Sequence, residues 1–140
     1  MKVEELTSKH REEVIALWGE VGLTRPWNDP AQDFDRALNG PTSAVLGLVE
    51  EGRLRGTAMV GHDGHRGWVY YLAVAPAHQG RRLGSLLMDE AERWLRRSGA
   101  VKVQVMVRNS NIDVIAFYEK SGYEVSDVTV LARRLDDVSP

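Results

Sequence analysis

Trp68-Val69-Tyr70-Tyr71-Leu72-Ala73-Val74, then Ala75-Pro76-Ala77-His78-Gln79-Gly80-Arg81-Arg82, then Leu83-Gly84-Ser85-Leu86-Leu87: this succession decides the fold. The first run is aromatic and β-branched and reads as a strand. Pro76 and Gly80 punctuate it. From Leu83 onward, Leu86, Leu87, Ala91, Trp94 and Leu95 recur on one helical face, with Gly99 as the stop. A strand-to-helix turn of this kind aims backbone N–H groups and the positive end of a helix dipole at one small volume. Gly80 and Gly84 remove side chains that would hold a ligand off the main chain, and Arg81 and Arg82 add charge. The turn reads as a seat for a phosphate or pyrophosphate. Taken alone, the same residues also make a tight connection with two solvated arginines. A nucleotide-hydrolysing P-loop requires Gly-Lys-Ser/Thr, and no lysine precedes Ser85. The dinucleotide G-x-G-x-x-G triplet is missing as well.

Outward from this turn, elements alternate in both directions. Met1 to Leu6 suits a short strand, and Val14, Ile15, Leu17, Trp18 and Val21 recur at helical spacing until Gly22. The prolines of Leu23-Thr24-Arg25-Pro26-Trp27-Asn28-Asp29-Pro30 forbid regular helix there, and a second helix is expected from about Pro30 to Leu38. Ser43–Glu50 and Arg53–Gly61 read as strands joined by the hairpin turn Glu51-Gly52. His62 to Gly67 turns into the Trp68 strand. Beyond Gly99, Val101, Val103, Val105 and Val107 alternate strictly, as in a strand with one buried face. A helix is expected from Asn111 to Lys120, and two closing strands from Tyr123 to Asp127 and Val128 to Leu135. The pattern predicts an α/β (α+β) domain over residues 1–140, with one mixed, mostly antiparallel sheet of about six to seven strands and about four helices.

Composition narrows the chemistry. A chain of 140 residues is long enough for one real core, and a net charge of -2 does not suggest a nucleic-acid or membrane-surface binder. Arg93, Arg96 and Arg97 sit late in a helix, where cations complement its dipole. With no cysteine, thiolate nucleophiles and zinc–thiolate sites are excluded, and His10, His62, His65 and His78 lack ligand spacing, so no metal is expected. The start has no apolar signal segment, and no run reaches membrane-spanning length, so a cytoplasmic location is expected.

A second constellation lies downstream. Asn111 and Tyr118 are seven residues apart in Asn111-Ile112-Asp113-Val114-Ile115-Ala116-Phe117-Tyr118. That is about two helical turns, so both point roughly the same way, about 10 Å apart along the axis. Together with Gln79-Gly80-Arg81-Arg82-Leu83-Gly84 and the following Glu119-Lys120-Ser121-Gly122-Tyr123, it resembles the GCN5-related N-acetyltransferases (GNAT) over most of the chain. The turn resembles the family's pyrophosphate loop, Q/R-x-x-G-x-G/A, with Arg82 in its central glycine position. Arg25 to Pro30 and Asp63 to Gly67 resemble the YpeA-type bacterial branch.

The resemblance implies acetyl-coenzyme A as co-substrate. Leu72, Ala73 and Val74 would hydrogen-bond the pantetheine arm as an added strand. Gln79, Gly80, Arg81, Arg82, Leu83, Gly84 and Ser85 would hold the pyrophosphate, and Asn111 the arm. Tyr118 would lie near the sulfur, and a backbone N–H near Leu72 or Ala73 would face the thioester oxygen. A tyrosine with an ordinary pKa of about 10 can protonate a departing thiolate. The amine attacks directly, with no covalent enzyme intermediate.

The general base is the gap, because the positions where relatives carry a glutamate hold Tyr70 and Met106. Trp27, Asp29, Asp63, His65 and Tyr70 are candidates for the acceptor side, where loops on a rigid sheet carry function. The alternative reading is that Trp27 packs under its loop and that Asp29, Asp63 and His65 are polar turn residues in water. The acceptor is a small-molecule or peptide amine, and a homodimer is admitted. The rival function is an acyl-coenzyme A-binding sensor or interaction module.

Overall fold

The computed structural model describes residues 1–138, and the chain forms two compact units, Met1–Val105 and Met106–Pro140. In the first unit five strands form one sheet in the order β1-β2-β3-β4-β5: Lys2–Glu5, Ser43–Glu50, Arg53–His62, Gly67–Val74 and Val103–Val105. The first three pairings are antiparallel and β4–β5 is parallel. Three helices accompany them: α1 (Arg11–Glu20, after a 3-10 turn at Ser8–His10), α2 (Pro30–Asn39) and α3 (Leu83–Arg97).

The elements form where local chemistry directs. Glu51 and Gly52 both adopt positive φ, 53° and 74°, which suits a two-residue hairpin between β2 and β3. Asp29 caps α2, its Oδ1 accepting from the Ala31 and Gln32 amides at 2.9 and 3.3 Å, with Pro30 in the first turn. Two layers cover the sheet. Consecutive strand residues face opposite ways: a Cβ at Gly56 would meet Leu87 of α3, whereas Thr57 meets Trp18 of α1. On the α1/α2 side Leu6, Val14, Leu17, Trp18, Phe34, Ala37, Val45 and Ala73 form the core. On the other side Leu83, Leu87, Met88, Ala91 and Leu95 of α3 are buried.

Two expectations are corrected. The sheet has five strands, not six to seven. The Val101–Val107 alternation yields a strand only at Val103–Val105, because pairing with β4 extends from Gly67↔Val103 to Val69↔Val105 and Val101 is 85% exposed. In the second unit, Tyr123–Leu135 forms no strand among the described residues. Its β-branched side chains favour extended backbone, but a strand also needs a partner's hydrogen bonds, and Val125, Val128, Val130, Leu131 and Leu135 are exposed. That unit holds α4, Ile112–Lys120.

Candidate functional site

The centre of the first unit is an irregularity in β4. Thr57 pairs with Ala73 and Met59 with Tyr70, so the single residue Ala58 opposes two, Tyr71 and Leu72. This is a β-bulge, and Tyr71 takes φ +52°, a left-handed conformation that non-glycine residues adopt at a cost. Three contacts hold it. The Tyr71 ring stacks on Trp18 with centroids 3.8 Å apart, its hydroxyl donates to Asp33 Oδ2 at 2.7 Å, and its carbonyl accepts from Thr57 Oγ1 at 2.9 Å. Burial, reinforced by Asp33, holds the Tyr71 hydroxyl well above the ordinary tyrosine range.

The turn after β4 is built on its own main chain. The Ala75 amide donates to the Arg55 carbonyl at 2.8 Å, Pro76–His78 forms a 3-10 turn, and Gln79 Nε2 donates to the Val74 carbonyl at 3.2 Å. Gly80 takes φ +83°, and a Cβ there would meet nothing within 4 Å. Arg82 is the N-cap of α3 in the left-handed region, φ 61°, and gives no side-chain cap. The first amides of α3, at Leu83, Gly84 and Ser85, lie where a helix provides no internal acceptor. A 15-residue helix thus presents an uncapped positive end beside a glycine and two arginines.

Arg81 is tethered rather than free. It donates to Glu50 from Nη2 at 3.0 Å and lies 2.7 Å from His78 Nδ1. The hydrogen bond from Arg81 holds the Glu50 carboxyl below its ordinary range. Arg55 approaches the same carboxylate at 3.6 Å, and its Nε is buried without a hydrogen-bond partner.

The acceptor-side candidates are dispersed. Trp27 is half-buried and Asp29 is occupied as the α2 cap. Asp63 accepts from the His65 and Arg66 amides at 2.8 and 2.7 Å and from Trp68 Nε1 at 3.1 Å, which holds its carboxyl at about 2. His65 is exposed on that turn. Tyr70, 40% exposed, lies parallel to Trp68 with centroids 6.2 Å apart, and burial followed by the Asp63 charge raises its pKa. Trp68 and Tyr70 are two residues apart and form an aromatic ledge on one face of β4.

The second unit holds the other two candidates. Asn111 is the exposed N-cap of α4, with no side-chain cap bond, and its carbonyl accepts the Ile115 amide at 3.1 Å. Tyr118 is 7% exposed, edge-on to Phe117 and Tyr123 with centroids at 5.1 and 5.5 Å, and burial pushes its hydroxyl up to about 12. The structure therefore brings Leu72, Ala73, Val74 and Gln79–Ser85 together on one strand–turn–helix, while Asn111 and Tyr118 lie on another unit.

Sequence reasoning missed Thr57, Trp18, Asp33 and Glu50. Neither Thr57 nor Glu50 carries a local signal: Thr57 is one hydroxyl ahead of the apolar run Ala58-Met59-Val60 whose partner Trp18 is distant in sequence, and a strand-end carboxylate looks solvated.

Known proteins share this architecture. Aminoglycoside N-acetyltransferase AAC(6')-Iy, solved in complex with CoA, superposes with a TM-score of 0.82 at 15% identity, covering 96% of this chain and 95% of that one. A putative acetyltransferase from Agrobacterium tumefaciens str. C58 gives 0.81 at 17% identity, covering 96% and 100%. A transcriptional regulator from Bacillus halodurans C-125 gives 0.78 at 17% identity, covering 95% and 99%. The profile of the Acetyltransferase (GNAT) family matches residues 7–123, which includes both the β4–α3 turn and α4. With that match over most of its length, the chain belongs to the GNAT acetyltransferase family.

Proposed function

We propose that the protein is an acetyl-coenzyme A-dependent N-acetyltransferase that acetylates a primary amine by direct attack, with residues 1–140 working as one domain. The observation that carries this reading is the uncapped N-terminus of α3 at the end of the turn that follows the bulged strand β4. The residues present fit acetyl-coenzyme A. The amides of Leu83, Gly84 and Ser85 and the side chains of Arg81 and Arg82 suit a diphosphate, and Leu72–Val74 offer main-chain partners to an extended arm. When bound, the co-substrate supplies an activated acyl group.

In this reading Gln79–Ser85 and Asn111 orient it, and a β4 amide at Leu72 or Ala73 faces the oxygen that gains charge on attack. Tyr118 keeps its proton at neutral pH and offers it to the departing sulfur as general acid. Two carboxylates among the acceptor candidates are committed to main-chain amides, Asp29 to α2 and Asp63 to its turn. The amine's proton then leaves through His65 or through water. The aromatic ledge of Trp68 and Tyr70, with Trp27, provides apolar contact for the acceptor, a small-molecule or peptide amine. The aminoglycoside acetyltransferase among the structural neighbours supports a small-molecule amine. We further infer a homodimer through the exposed apolar C-terminal segment, a cytoplasmic location, and neither nucleic acid nor membrane as partner; among the described residues no helix is long and apolar enough to cross a membrane.

A specific observation also favours a second reading, an acyl-coenzyme A-binding sensor: neither Tyr70 nor Met106, 40% and 53% exposed, provides a carboxylate. Free-thiol release from acetyl-coenzyme A across a panel of primary amines decides between them. Amine-dependent release is the expected result. Binding of acetyl-coenzyme A without release by any amine favours the sensor, and a thermal shift by ATP as large as that by acetyl-coenzyme A removes the acyltransferase reading.

A further inference from the structure

We propose that Thr57 is a positioning residue for acyl transfer: its hydroxyl, fixed by Trp18, holds the Tyr71 carbonyl and thereby turns the Leu72 N–H out of the β3–β4 ladder to serve as the donor to the thioester oxygen. This rests on the acetyltransferase reading above and assigns a residue to it that the family motifs do not contain.

Thr57 is fully buried, its hydroxyl set among apolar neighbours of the sheet. Trp18, also fully buried, donates Nε1–H to Thr57 Oγ1 at 2.9 Å. A hydroxyl has a single proton, so with Trp18 as donor the Thr57 proton goes to its second neighbour, the Tyr71 carbonyl at 2.9 Å. The orientation of the whole relay is fixed by the indole, which can only donate.

The carbonyl that Thr57 holds belongs to the residue at the bulge. A trans peptide is planar, with its C=O and the next N–H pointing in opposite directions. Anchoring the Tyr71 oxygen on Thr57 of β3 therefore sends the Leu72 N–H away from β3. The parallel partner strand has ended by this level, since its last pair is Val69↔Val105, so that amide faces a side of β4 with no ladder partner. A regular strand at Tyr71 would face Ala58 with one residue rather than two, leaving no extra carbonyl for Thr57 to hold. The Tyr71 ring stack and its bond to Asp33 hold the side chain, whereas Thr57 grips the main-chain oxygen.

The test compares Thr57→Val, which keeps the shape and removes the hydroxyl, with Thr57→Ser, which keeps the hydroxyl. Two readouts are taken. In the ligand-free protein, backbone carbon chemical shifts report the conformation at Tyr71 and Leu72. With acetyl-coenzyme A and the best amine from the panel, kcat and KM are separated. The Thr57→Val protein should move Tyr71 toward extended values and lower kcat about 10²-fold, the loss expected for one oxyanion donor, with KM for acetyl-coenzyme A nearly unchanged. Thr57→Ser should keep both. Wild-type shifts in Thr57→Val, or a kcat in Thr57→Ser as low as in Thr57→Val, would overturn the proposal. Should Thr57→Val not fold, Thr57→Ala carries the same comparison. If the wild-type protein shows no amine-dependent release, the acetyltransferase reading falls by itself, and the ligand-free shifts still decide whether Thr57 sets the Leu72 peptide.

Discussion

Single side chains in this protein mostly have one task each, and the task follows from their partners. Tyr118 is buried with its hydroxyl near 12, so it remains protonated throughout the range in which amines become nucleophilic. Tyr118→Phe should lower kcat about 10²-fold with KM for acetyl-coenzyme A nearly unchanged, measured by steady-state thiol release. The same raised value has a stability consequence. The folded state favours the neutral phenol relative to an unfolded tyrosine near 10, so the contribution is complete below about 10 and is lost as pH rises through about 12. An ultraviolet titration of tyrosinate should show one fewer late step in Tyr118→Phe. Asp29 supports a sharper discrimination. As a cap it should tolerate Asp29→Asn, whereas Asp29→Ala should cost about 1 kcal/mol in denaturant unfolding, whatever the acceptor. The Asp29-Pro30 pair carried that cap signature in the sequence, but the same carboxylate on a proline-bounded loop also reads as an acceptor contact. Thr57 gave the opposite difficulty: one hydroxyl in an apolar strand has no local signature, because its meaning comes from Trp18, 39 positions away.

Among the elements, the strand–turn–helix of β4 and α3 was the most legible, since every signal in it is local. Strand spacing, Pro76, Gly80 and the apolar helix stripe agree on one arrangement. Acetyl-coenzyme A at about 100 times its dissociation constant should add roughly 2.7 kcal/mol of stability, read as a raised Tm. Gly84→Leu should abolish that rise while the unliganded Tm stays close to wild type. The bulge in β4 was illegible, because Tyr70-Tyr71-Leu72 reads as uninterrupted strand. Only the register against β3 shows that one residue there opposes two. The closing strands failed for a related reason. Alternating β-branched residues such as Val128 and Val130 encode extended backbone, whereas pairing is a property of the partner edge.

At the scale of the molecule, the exposed apolar residues of the C-terminal segment set the expectation for assembly. Light scattering should give the mass of a dimer for the wild-type chain and of a monomer for a Leu131→Lys, Leu135→Lys variant. A wild-type monomer would remove the homodimer from the reading above. The sheet has a different consequence, one that concerns the chain before it is finished. Its strand order is the same as its chain order, β1-β2-β3-β4-β5. The β2–β3 and β3–β4 neighbours are joined by short turns, so each can dock on the edge its predecessor has just left open. The parallel strand β5 has no such shortcut, since it must wait for the whole crossover through α3. During synthesis, then, the meander can assemble while α3 is still being made, and the uncapped end of that helix arrives on strands already paired. Pulsed hydrogen exchange during refolding should find the amides of Val45–Leu48 and Ala58–Val60 protected before those of Val103–Val105. Simultaneous protection would mean that the sheet closes in one step, with β5 as part of its nucleus.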